Sequence, residues 1–174
     1  MRLTERRWQR MLEHCERICE EHGLAGSKSV FKHTVRTYFQ AHGRVLPWRQ
    51  TDDPYQILVS EMMLQQTQVE RVASKYRDFV GKFPGFAALN RASLQSVLAA
   101  WQGLGYNRRA RYLKLLAKQV LEVWEGIVPD DPEQLRSLPG IGAATAGAIA
   151  AFAFNKPVVF LETNIRTVFL HFFF

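Results

Sequence analysis

Residues 135–152 read LRSLPGIGAATAGAIAAF. Within this stretch Leu138, Pro139, Gly140, Ile141 and Gly142 separate a short helical segment from a run of small residues without strand-like alternation. Glycines allow positive φ and the close approach of another backbone, and the amides opening the second helix point outward at the positive end of its dipole. Gly140, Gly142 and Ala143 can therefore hold a phosphate without reading any base. A tight turn between two helices with a glycine C-cap explains the same pentapeptide. Ala143, Ala146, Gly147 and Ala150 share one face of the second helix, so that face can pack closely.

Working outward, helical periodicity dominates, and the fold class expected is all-α. Helices are expected near residues 5–22, 28–41, 54–66, 68–82, 93–102, 106–125, 132–138 and 143–154, with another beginning near Thr163. Asp53 before Pro54 and Asp131 before Pro132 each place an N-cap carboxylate ahead of a proline at the first helical position. Only Pro157 to Leu161 has the look of a strand or extended segment. Leu46, Pro47 and Trp48 form the clearest internal boundary. The chain finishes on Val168, Phe169, Leu170, His171, Phe172, Phe173 and Phe174, an uncapped apolar run, and further residues are expected to follow in the complete protein.

The formal charge is +7, and the sequence pI of about 9.7 points to a polyanionic partner. The two cysteines, Cys15 and Cys19, fall on the buried stripe of the first expected helix and read as reduced core thiols; alone they cannot ligate a cluster or a structural zinc, so no metal site is expected. With no apolar run at the N-terminus, neither a signal peptide nor a membrane span is expected, and a cytoplasmic, DNA-associated location follows.

Three further groups of residues could carry chemistry. The run from Ser60 to Val69 contains Glu61, whose helical neighbours Ile57, Leu58, Leu64 and Gln65 are mostly apolar. Partial desolvation there disfavours the carboxylate, as a group that must hold a proton at neutral pH requires; the competing reading is a Glu at the helix edge reaching water or an arginine. Gly103 to Arg111 presents Tyr106 on a glycine turn, followed by Arg108, Arg109 and Arg111, which is either an aromatic wedge with phosphate clamps or a solvated basic face. Phe160 to Arg166 delivers Glu162 to a helix start, where it either faces a developing cation or favours the helix dipole with Thr163 as N-cap.

Taken in this order, the motifs resemble those of the A/G-specific adenine glycosylases, the MutY type within the helix-hairpin-helix superfamily that also contains endonuclease III. The resemblance runs from about Gly43 to the end, and LPWRQTDDPY followed by SEMMLQQTQV is its most specific part. It implies that Glu61 is the general acid, protonating N7 of an adenine swung out of the duplex from opposite 8-oxoguanine or guanine. The oxocarbenium-like sugar is stabilised in this family by an aspartate at the position of Glu162, and water completes hydrolysis without a metal. By the same matching, Gln66, Thr67 and Tyr106 contact or enter the duplex at the lesion, Arg44, Leu46, Trp48, Arg49 and Val69 wall the adenine pocket, and Arg108 and Arg109 join the hairpin on the phosphates.

The sequence departs from the family at two places. Glu162 is one methylene longer than the family's aspartate, and Ala144 stands where nicking relatives carry a lysine nucleophile and many adenine glycosylases a tyrosine. The resemblance implies double-stranded DNA with a mispaired adenine as partner, a monomer, and no cofactor within this chain; the [4Fe-4S] cysteines typical of the family would lie beyond residue 174. The architecture expected is two helical lobes with a DNA-binding cleft between them: an N-terminal extension over 1–26, a second lobe from 27–52 and 155–174, and a six-helix module over 53–154. Two alternatives stay open: a non-catalytic or weakly active DNA-binding module, and an endonuclease III-like glycosylase of altered base specificity.

Overall fold

A computed structural model describes residues 28–173 together with Glu13 and Arg17, both helical. Cys15, Cys19 and most of the helix expected over 5–22 lie outside the described residues. Every regular element among those described is helical, as expected. They run α1 (28–42), a 3-10 turn (Pro47–Arg49), α2 (Pro54–Leu64), α3 (Val69–Lys82), α4 (Phe86–Arg91), α5 (Leu94–Trp101), α6 (Arg108–Val123), α7 (Pro132–Arg136), α8 (Ala143–Phe154) and α9 (Thr163–Phe173). Two compact units result: one holds the residues up to Arg44 and from Leu161 onward, the other is Val45–Phe160. No helix among the described residues is long and apolar enough to cross a membrane.

In the larger unit α2 and α8 are buried on nearly all sides, which is why both read as apolar without a clean stripe. Helix α2 packs on α3, α6 and α8. It starts where Asp53 accepts a hydrogen bond from the Tyr55 N–H at 2.9 Å, and α7 starts in the same way, with Asp131 accepting from the Gln134 N–H at 3.0 Å. Small residues let α8 come close to its neighbours. A Cβ on Gly147 would lie 2.6 Å from Phe160 Cβ, so the segment from Pro157 crosses this face of α8 at backbone distance. That segment forms no strand, because its contacts run to a helix and not to another extended chain.

Helix α4 was not expected. It is a single short run behind Pro84 and Gly85, held by burial of Phe86 and Leu89, and its last carbonyls are capped by Lys114 of α6, whose ammonium donates to Asn90 O at 2.7 Å and Ala92 O at 2.5 Å. In the smaller unit the Phe31 ring of α1 meets Phe169 and Phe172 of α9 at centroid distances of 5.4 and 5.1 Å. The Arg166 N–H donates to Glu162 O at 2.9 Å, which makes Glu162 the residue that opens α9; the expectation that Thr163 is the N-cap is corrected by one position.

Candidate active site

Glu61 is the only charged side chain on α2 and sits half-buried in its third turn, between fully buried Ser60 and Met62 and one turn from fully buried Leu58. The Ser60 hydroxyl is turned away, donating to Ile57 O at 2.7 Å.

The hairpin between α7 and α8 abuts the same helix. Gly140 has φ +81°, and a Cβ there would lie 2.9 Å from both Met62 Cε and Tyr112 Cβ, so neither its backbone nor its surroundings accept a side chain. Gly142 caps α8 without a side chain, and Gly142, Ala143 and Ala144 are exposed, so the first amides of α8 face solvent. Gln65 ties this hairpin to α2: its Nε2 donates to Gly140 O at 3.1 Å and to Thr145 Oγ1 at 3.2 Å. Sequence reasoning gave Gln65 no role, although its place one turn after Glu61 at the end of α2 was a usable signal. Arg108 is exposed, with its guanidinium over the Tyr112 ring at 5.6 Å; Tyr112 in turn packs on Gly140, which brings Arg108 and the hairpin to one patch.

Gln66 and Tyr106 are exposed and both have positive φ, 54° and 47°. For residues other than glycine this backbone costs on the order of 1–3 kcal/mol and persists only where the surroundings dictate it. Arg109 does so here, and its assignment to a DNA phosphate is corrected. It is only 7% exposed and its guanidinium donates to Met62 O (3.1 Å), Met63 O (2.8 Å), Gln65 O, Thr67 Oγ1 (2.9 Å), Leu104 O (3.1 Å) and Gly105 O (3.1 Å). Every terminal donor is turned inward to a carbonyl or hydroxyl, and burial pulls its pKa below the usual arginine value. Thr67 is half-buried in the same network, its hydroxyl also contacting Leu104 O at 3.2 Å, so it holds the loops together where a lesion contact was expected.

The pocket residues divide. Leu46 and Trp48 are each 7% exposed in the hydrophobic core, the Trp48 ring edge-on to Tyr76 at 5.4 Å. Arg49 is exposed beside them, and Val69, half-buried, opens α3. Arg44 and Glu162 belong to the smaller unit and are exposed. Burial, with a smaller contribution from the Asp53 carboxylate, pushes the Tyr76 phenol up to about 12, and the same two causes raise Tyr55, whose hydroxyl donates to Phe83 O at 2.5 Å.

Several known proteins are similar to this chain in sequence or in fold. The chain is 40% identical over 145 residues to the adenine DNA glycosylase of Buchnera aphidicola (subsp. Baizongia pistaciae), covering 83% of this chain and 41% of that protein. It is 41% identical over 152 residues to that of Mycobacterium tuberculosis (87% and 50%) and 37% identical over 149 residues to that of Homo sapiens (80% and 27%). The chain thus spans at most half the length of these relatives. Among solved structures, a thermostable thymine-DNA glycosylase superimposes with a TM-score of 0.77 at 32% identity, over 81% of this chain and 65% of that one. A non-covalent endonuclease III–DNA complex superimposes at 0.71 and 20% identity, over 82% and 67%, and shows the fold alone. Residues 59–174 match the HhH-GPD superfamily of base excision DNA repair proteins, and the chain belongs to that family.

Proposed function

We propose that this chain is the catalytic part of a monofunctional DNA glycosylase that hydrolyses the N-glycosidic bond of adenine mispaired with 8-oxoguanine or guanine. The observation that carries the reading is Glu61, half-buried and the one charged side chain on a mostly apolar helix whose end is fastened through Gln65 to the hairpin at Gly140. The named relatives are adenine DNA glycosylases, and the formal charge of +7 suits a duplex.

In this mechanism the amides of Gly142 and Ala143, with Arg108, grip the backbone of the strand. Gln66 and Tyr106 enter the space vacated by the extruded nucleotide. Glu61, protonated, gives its proton to adenine N7, so the base leaves neutral and Glu61 is left as the carboxylate. The glycosidic electron pair departs with the base, Glu162 faces the cationic sugar that remains, and water adds to C1′ with loss of its proton. Arg44, Arg49 and Val69 border the base. Because the residue two beyond Gly142 is Ala144 and not lysine, no Schiff base forms and the strand is not nicked. Cys15 and Cys19 are the chain's only cysteines and a [4Fe-4S] cluster needs four thiolates, so these residues do not make that site. The protein acts as a monomer on cytoplasmic, DNA-associated substrate.

Single-turnover release of adenine opposite 8-oxoguanine tests the reading. Glu61→Gln abolishes release and leaves duplex affinity within about threefold; release at the wild-type rate removes Glu61 as the acid. Glu162→Asp raises the rate, by up to about a hundredfold where the extra methylene misplaces the carboxylate by about 1 Å. A second reading, a glycosylase for another mispaired base, is favoured by the likeness to the thymine-DNA glycosylase, and release of thymine but not adenine in the same assay would establish it.

A further inference from the structure

Gln66 and Tyr106 stand on different loops, and one side chain holds both. Arg109 reaches Gln65 O and Thr67 Oγ1 on either side of Gln66, Leu104 O and Gly105 O just before Tyr106, and Met62 O and Met63 O at the end of the helix that carries Glu61. Its guanidinium lies over two rings, with Cζ 5.5 Å from the Trp101 centroid and 5.4 Å from that of Tyr106. Trp101 Nε1–H donates to the same Gly105 O at 3.1 Å.

The geometry points to Arg109 as a positioning residue for base extrusion, whose buried planar fork fixes the spacing of Gln66 and Tyr106 and ties both to the helix of Glu61. The inference rests on the reading of Gln66 and Tyr106 as the residues that enter the duplex. Capping α2 would need only the bonds to Met62, Met63 and the C-cap residue Gln65; the three others run to the two loops and serve no helix end. Two non-glycine residues with left-handed backbone relax when nothing dictates their conformation, and charge-assisted bonds on both sides of Gln66 and before Tyr106 dictate it here. The Nε–H is buried without an acceptor, a cost retained although an apolar side chain at this position would avoid it. Lysine offers three donors from one point and no planar group to set against the Trp101 and Tyr106 rings, so it cannot replace the fork.

The test uses the full-length protein and a duplex in which 2-aminopurine, which brightens when unstacked, replaces the target adenine opposite 8-oxoguanine. Arg109→Lys and Arg109→Met are expected to cut the fluorescence rise at least threefold and to slow single-turnover adenine release ten- to a hundredfold, with affinity for undamaged duplex within about threefold of wild type. Thr67→Val, which removes one link between the loops and leaves the core alone, is expected to give a three- to tenfold slower release with the same loss of signal. Leu113→Ala, on the buried stripe of α6 and in none of the bonds of the fork, lowers Tm and keeps the fluorescence rise. Normal extrusion in Arg109→Lys and Thr67→Val overturns the inference, as does loss of extrusion in Leu113→Ala in proportion to its Tm. Gln66→Ala and Tyr106→Ala separate the two levels: if both lose the signal while Arg109→Lys keeps it, only the role of Arg109 fails, and if neither loses it, the wedge reading fails and takes this role with it.

Discussion

The joint between α2, α8 and the hairpin differs from the loops at 65–68 and 103–107 in where each keeps its constraint. At the joint, side chains fill the space: Leu58, Met62 and Ile149 are fully buried and Gly140 is hemmed in by Met62 and Tyr112. The loops are exposed at their tips, with Tyr106 at 63% exposure, and keep their strained backbone through hydrogen bonds to one buried cation. Packing suits a part that must not move, since interiors respond to changes of a single methylene. Hydrogen bonds to a central fork suit a part whose side chains must be free for a ligand while their backbones are fixed.

Substitutions can break this contrast. The largest loss of stability is expected for Trp48→Ala, about 3–5 kcal/mol by denaturant unfolding, as for other buried aromatics; a loss below about 1 kcal/mol would mean that its ring is not part of the core. Gly140→Ala follows, at about 2–4 kcal/mol, from a forbidden φ and the overpacking against Met62 and Tyr112. Gln66→Gly sharpens the contrast from the other side. Glycine relieves the left-handed backbone but frees the unfolded chain, so stability moves by less than about 1 kcal/mol, yet adenine release falls because no side chain fills the gap.

The smallest expected effect is on pH. In the unfolded chain the phenols ionise near their ordinary value of 10.0, whereas folded Tyr76 stays neutral to about 12 and folded Tyr55 is raised as well. The folded state therefore holds protons that the unfolded state releases. This contribution is fully present below pH 10 and is lost as the pH rises from 10 toward 12. Tyr76→Phe makes that decline shallower, which chemical denaturation across the range would register.

Much of the fold was legible in the sequence, and the reasons are local. Asp53-Pro54 and Asp131-Pro132 state their helix starts within two residues, and the glycines of the hairpin state a turn. Helix α4 was hidden because six residues behind a Pro-Gly pair show no period, and its anchor, Lys114, is distant in sequence. Among the site residues, Glu61 could be picked out because a charge among apolar neighbours is conspicuous. Arg109 was misread because a run of arginines looks basic as a whole. The signal lay in its register: residue 109 falls on the same face of α6 as buried Leu113, Leu116 and Val120, whereas Arg108 and Arg111 do not.

The most direct test of the account is single-turnover release from two substrates: adenine paired opposite 8-oxoguanine, and adenine opposite an abasic site, where little work is needed to unstack it. On the second substrate the Gln66→Ala and Tyr106→Ala proteins are expected to recover to within about threefold of wild type, while Glu61→Gln stays at least a thousandfold slow on both. Release by Glu61→Gln at a rate near wild type on either substrate would contradict the claim that this one carboxyl supplies the proton.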